Sequence, residues 1–168
     1  MNNEVLKGGL RFVILVALQI FLINNIALFG YVTPYIYILF ILLYPINSNR
    51  ELFLVLCFVL GFTIDVFENS GGIHAAACLC MGYLRPLALK TSFGVSYEYN
   101  TIKINDMPIG GRITYVVVLV LVHHLILFGL EIFDLDHTLL LLKTTVLGVL
   151  FSSLLILAAL VMISSKSR

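Results

Sequence analysis

Charged side chains are scarce in this chain: Asp, Glu, Lys and Arg make up 11% of its 168 residues, while 61% are apolar. A soluble domain of this length could not bury that much apolar surface, so the composition excludes an ordinary water-soluble globule. Tryptophan is absent, which leaves tyrosine to occupy interfacial positions where an amphipathic ring is wanted. Only three cysteines occur, Cys57, Cys78 and Cys80, all within apolar stretches. An odd number with no extramembrane member argues against a disulfide framework, and Cys78 and Cys80, two residues apart, are not a CxxC pair. Also missing are a Gly-rich phosphate loop, a Gly-x-Ser-x-Gly elbow, a His-Glu-x-x-His helix and a strongly basic face. Their absence argues against an enzyme, a metal or other cofactor, and a nucleic-acid partner. No internal repeat, low-complexity tract or charge run is found.

What is present is hydrophobicity, with a mean hydropathy of +1.08. A bilayer core about 30 Å thick accepts helices of about 20 apolar residues, and the chain divides into six of them. The stretches are about 10–28, 33–47, 51–67, 72–90, 113–131 and 139–163, with a longer connection over about 91–112. The expected fold is all-α: one integral membrane domain over 1–168, a polytopic six-helix bundle. Pro34 and Pro45 confine the second stretch, and Arg85-Pro86 should kink or end the fourth. Lys7 and Arg11 precede the first apolar run as in a secretory signal, but no small-x-small cleavage site follows, so it reads as a retained first span. Within the long connection, 97–104 alternates loosely and suggests a small hairpin. Tyr31, Tyr35, Tyr44, Tyr97 and Tyr115 fall near span ends, where their hydroxyls are expected in the headgroups.

Orientation follows from the basic residues, because loops rich in Lys and Arg stay cytoplasmic. With the amino terminus inside, Lys7, Arg11, Arg50, Arg85, Lys90, Lys103, Arg112, Lys166 and Arg168 all fall on the cytoplasmic side, leaving Lys143 near the other face. The outer connections hold Asp65, Glu68, Glu131, Asp134 and Asp136. Both termini are therefore expected in the cytoplasm.

The most unusual polar stretch runs from Gly61 to His74 and includes Asp65, Glu68 and Gly71-Gly72. Two readings stay open. A carboxylate costs about 2.5–3.5 kcal/mol at mid-membrane and less near an interface, so Asp65 should have a partner, with His74 the obvious one. Alternatively, Asp65 and Glu68 end a helix in the headgroups and the glycines allow a tight reversal. Cys57, Gly61 and Asp65 share one helix face, and Ala75, Cys78 and Gly82 form a similar strip, so the two should pack closely. His123 and His124, mid-way along the fifth stretch, point about 100° apart and cannot grip one ion together. Neutral histidines bonded to another helix are expected instead. The cluster Glu131 to Asp136, followed by His137, reads as a hydrated outer loop.

A six-span layout, a Gly-x-x-x-Asp closing the third span, and Gly71-Gly72-Ile73-His74-Ala75 opening the fourth together resemble MreD, the rod shape-determining membrane protein family. The likeness is sharpest between Gly61 and about Pro86, and rests elsewhere on hydropathy. The matching positions are Gly61, Asp65, Gly72 and His74. The chain departs from the family's compact turn by inserting Glu68, Asn69 and Ser70. The resemblance implies a non-enzymatic component of the cell-elongation machinery in the bacterial inner membrane, supporting rod shape and lateral peptidoglycan synthesis. Its implied partners are an MreC-like protein, MreB, RodA and a class B penicillin-binding protein, within the lipid bilayer. The competing class is a carrier similar to the vitamin-binding S-component of energy-coupling-factor transporters, also a six-span bundle. A carrier needs a cavity of about 300 Å³ or more with converging polar groups, whereas the polar residues here look scattered. An intramembrane enzyme built on His123 or His124 would need a second polar residue on a facing helix.

Overall fold

Residues 37–42 form a deeply buried run: Tyr37, Ile38, Ile41 and Leu42 have no exposure and Leu39 and Phe40 only 3%. Yet only Leu39–Leu43, helix α2, is helical within it, because Pro34 and Pro45 bracket the stretch and disfavour helix in the residues before them. The expected second span over 33–47 is thus a five-residue helix preceded by an irregular segment, 32–38. Irregular backbone at such depth survives only if its polar groups find partners in side chains. Gln19 supplies two of them: its Nε2 donates to the Pro34 carbonyl at 3.1 Å and its Oε1 accepts the Ile36 amide at 2.8 Å. Ser152 Oγ accepts the Tyr35 amide at 2.9 Å.

The computed structural model describes residues 2–26, 32–94, 108–132 and 138–165. It is all-helical, with five long helices around α2: α1 (Asn2–Phe21), α3 (Arg50–Glu68), α4 (Ile73–Phe93), α5 (Ile109–Ile132) and α6 (Thr138–Ser165). A 3-10 turn, Ile23–Asn25, follows α1. Among the described residues, three stretches are long and apolar enough to cross a membrane: Leu6–Asn25, Ile109–Ile132 and Leu139–Ile163. The hairpin expected at 97–104 and the residues 133–137 of the acidic cluster lie outside the described residues.

Helix α4 lies between α3 and α5, α5 packs in turn on α6, and α1 leans on α3 and α2. Local signals set several ends. Asn49 caps α3, its Oδ1 accepting the amides of Glu51 and Leu52 at 2.8 and 3.1 Å. Asn69 closes α3 in the left-handed conformation at φ 53°. Helix α4 does not stop at Arg85-Pro86 but runs on to Phe93. Proline removes one helical donor, and packing against α3 and α5 outweighs that loss.

The two small-residue strips do face each other. A Cβ on Gly82 would come within 2.7 Å of Cys57 Sγ, and one on Gly61 would fall onto the His74 and Ala75 backbone. Away from this seam α3 presents Leu52, Val55, Phe58, Phe62 and Val66 as exposed apolar side chains. Tyr35 and Tyr115 differ from expectation: both are buried, and the Tyr115 hydroxyl donates to the Leu42 carbonyl at 3.2 Å rather than reaching headgroups.

Candidate functional site

The turn between α3 and α4 carries three backbone conformations that side chains resist: Asn69 at φ 53°, Gly71 at 70° and Gly72 at 98°. Asparagine tolerates the left-handed region and glycine occupies it freely, so these residues reverse the chain in little space. The N-cap of α4 is Gly72, which has no side chain to bond the first amides of the helix. Asp65 does so from α3. Its Oδ1 accepts the His74 amide at 3.0 Å and its Oδ2 the Ala75 amide at 2.8 Å. The Ser70 hydroxyl donates to Oδ1 at 2.5 Å. A carboxylate at a helix N-terminus also meets the positive end of the helix dipole. Gly61, one turn earlier on α3, has no Cβ and so lets α4 come near enough for these bonds.

Gly61, Asp65, Gly72 and His74 therefore meet in one joint, but not through the contact expected. Asp65 takes the backbone amide of His74, not its imidazole. The ring turns the other way, with Nε2 3.0 Å from Glu68 Oε2 and Nδ1 2.7 Å from Tyr37 Oη. Tyr37 Oη is in turn 2.8 Å from His123 Nε2. Glu68 is held at its other oxygen by Asn24 Nδ2 at 2.7 Å, and Asn24 Oδ1 accepts from Gln19 Nε2 at 2.7 Å. A polar row thus crosses from the α3–α4 turn into the bundle, with Tyr35 packed edge-on to His74.

The two adjacent histidines of α5 do diverge. His124 Nδ1 donates to the Val120 carbonyl at 2.8 Å, which leaves Nε2 to accept the Ser152 hydroxyl at 3.1 Å. His123 instead joins the row through Tyr37. The second polar residues on facing elements are thus Tyr37 and Ser152, which hydropathy alone had absorbed into apolar spans. No group of three or more His, Cys, Asp or Glu among the described residues could hold a metal ion.

Above the row lies an open cavity of about 540 Å³ lined by Tyr35, Glu68, Ser70, His74 and Glu131 among others. The sequence had suggested scattered polar groups; the tertiary structure gathers them at one end. A second cavity of about 280 Å³ is lined by Arg50, Phe53, Arg85 and Leu89. Arg85 is 4% exposed, although hydropathy placed it at a cytoplasmic boundary. Its Nε donates to Tyr115 Oη at 2.8 Å, and its Nη2 donates to the carbonyls of Leu42 and Tyr44. The guanidinium also stacks over Phe53, 5.0 Å from the ring centre. It closes the C-terminal end of α2, where helix carbonyls lack partners of their own. A charge inside an apolar stretch was the signal that could have singled Arg85 out.

The fold and joint define an all-helical protein with helices able to cross a membrane, organised around a capped α3–α4 hairpin. Comparison with protein-family models, with curated proteins and with solved structures finds no match to this chain.

Proposed function

We propose that this protein is a non-enzymatic membrane adaptor of the MreD kind, acting in the bacterial cell-elongation complex by binding the transmembrane helix of an MreC-like partner. MreB, RodA and a class B penicillin-binding protein would be further members of that assembly. The chain would cross the inner membrane six times with both termini in the cytoplasm. The apolar exposed face of α3 supports that crossing, since such a face suits lipid and not water. Separation of charge supports the orientation: Glu68 and Glu131 line the cavity at one end, Arg50 and Arg85 the other cavity.

The observation that carries the reading is the use made of Asp65. Both its oxygens are occupied by the amides that begin α4 and by Ser70, so the carboxylate sets the pose of two helices and is not presented to a substrate. Fixing a hairpin is what an intramembrane docking surface requires. The outer ends of α3 and α4 would form that surface, with Gly61, Gly72 and His74 as its structural parts.

The cavity of about 540 Å³ favours the second reading, a vitamin-type carrier, because it exceeds the roughly 300 Å³ that a small ligand needs. Against it, His74 and Glu68 bond to each other. Affinity purification from the native membrane separates the two. Recovery of an MreC-like protein with wild type, and its loss with Asp65→Ala, is expected of the adaptor. Wild-type recovery of that partner by a normally folded Asp65→Ala protein would count against it, and co-purifying ATP-hydrolysing subunits with a bound vitamin would establish the carrier.

A further inference from the structure

The row Glu68, His74, Tyr37, His123 can be followed proton by proton. Glu68 as carboxylate only accepts, so His74 Nε2 carries the hydrogen at their 3.0 Å contact. His74 Nδ1 is then a bare acceptor, and the Tyr37 hydroxyl donates to it at 2.7 Å. A hydroxyl has one proton, so Tyr37 Oη must accept from His123 Nε2–H at 2.8 Å. That leaves His123 Nδ1 without its hydrogen, and it is fully buried with no hydrogen-bond partner among the described residues.

We propose that these four residues form a one-proton switch, in which a proton bound at His74 beside the cavity reverses every donor and acceptor as far as His123. In the loaded state His74 carries hydrogens on both nitrogens, Nε2–H donating to Glu68 and Nδ1–H donating to Tyr37 Oη. The Tyr37 hydroxyl turns to donate to His123 Nε2, and His123 carries its hydrogen on Nδ1. The tally is three protons shared by the row before uptake and four after, the added one coming from water. No electrons change hands, and only N–H and O–H bonds are made and broken. The positive charge stays on His74, against the Glu68 carboxylate, while His123 is neutral in both states. What changes at His123 is its character, from bare acceptor to N–H donor, deep among α4, α5 and the 32–38 segment.

The surrounding groups leave this row as the place of uptake. Asp65 of α3 is committed to two amides and Ser70. His124 of α5 has its tautomer held by Val120 and Ser152. Cys78 of α4 lies beside Tyr37 as a buried thiol. Tyr35 of the 32–38 segment and Glu131 of α5 line the cavity, and α6 and the 3-10 turn after α1 contribute the neutral Ser152 and Asn24. Among the described residues Glu131 is the other carboxylate lining the cavity, and Glu131→Gln tells its titration apart. The switch is independent of the adaptor reading, since it concerns protons and no protein partner.

The test is nitrogen NMR of the full chain with labelled histidine in lipid bilayers, taken from about pH 8 to about pH 5, where imidazoles titrate. His137→Gln and His124→Gln variants assign the four histidines. The expected result is that His74 becomes doubly protonated in the same transition in which the hydrogen of His123 moves from Nε2 to Nδ1. In Tyr37→Phe, His74 should still load while His123 no longer follows, and in Glu68→Gln the transition should leave that range; Glu131→Gln should retain it. An unchanged His124 tautomer reports that each variant is folded. An unaltered His123 while wild-type His74 loads would overturn the proposal, as would no loading of His74 at all. So would a His123 that still follows in Tyr37→Phe, or a transition unmoved in Glu68→Gln.

Discussion

Asp65 Oδ2 accepts the amide of Ala75 at 2.8 Å, so a side chain on one helix caps the next. The relationship makes the α3–α4 hairpin depend on a single carboxylate. Asp65→Ala leaves two buried amides and a hydroxyl without their acceptor, and a buried unsatisfied group costs about 1–3 kcal/mol. We expect a clear fall in Tm in detergent micelles. Asp65→Asn keeps one acceptor oxygen but turns an NH₂ donor toward an amide, and should fall between alanine and wild type. Equal Tm values for all three would show that the cap carries no stability.

Gly61 tests close approach separately from the cap. A Cβ there would overlap the His74 and Ala75 backbone, which cannot move aside as a flexible side chain would. Overpacking costs about 1–3 kcal/mol where side chains can adjust, so Gly61→Ala should lie at or above the upper end. Gly8→Ala, where nothing lies within 4 Å of the added carbon, is the matched control and should not lower Tm, alanine being the better helix former.

Gln19 holds the irregular segment through the Pro34 carbonyl and the Ile36 amide. Gln19→Leu preserves apolar volume and removes both bonds, at about 1–3 kcal/mol for each group left buried and unpaired. Hydrogen exchange at the Ile36 amide should speed up by at least about tenfold, the factor that corresponds to about 1.4 kcal/mol. Unchanged protection would mean the segment is held elsewhere.

Arg85 donates through Nε to the Tyr115 hydroxyl and through Nη2 to the Leu42 and Tyr44 carbonyls, using two positions of a planar fork that lysine lacks. Arg85→Lys should therefore lower Tm nearly as much as Arg85→Met. It should also open the seam at buried Cys57, read as faster maleimide labelling in a Cys78→Ala, Cys80→Ser background. Full protection of Cys57 in both variants would contradict this.

Topology has its own measurement. In a cysteine-free background, Ser48→Cys and Ser70→Cys are near-isosteric probes at the two ends of α3, and six crossings place them on opposite sides. A membrane-impermeant thiol reagent should label position 70 from the outside of intact cells and position 48 only after the membrane is opened. Labelling of both from one side would remove α3 from the crossings.

The helical class, the presence of helices long and apolar enough to cross a membrane, and the packed strips on α3 and α4 were legible in the sequence, because hydropathy and the spacing of small residues are local, periodic signals. The turn was legible too: Gly71 and Gly72 are where positive φ was expected. Folding decided what the side chains bond to. Asp65 pointed to His74 in sequence, but only the register of two packed helices determines that it takes the amide and leaves the ring to Glu68 and Tyr37. Tyr37 and Gln19 pass unremarked inside apolar runs, and Arg85 counts among the cations at a span boundary. Apart from Asn24, which Gln19 also bonds, their partners lie 15 to 86 residues away, a distance that no local pattern records. Burial without water then obliges each polar group to find one of the others, and that obligation is met only in three dimensions.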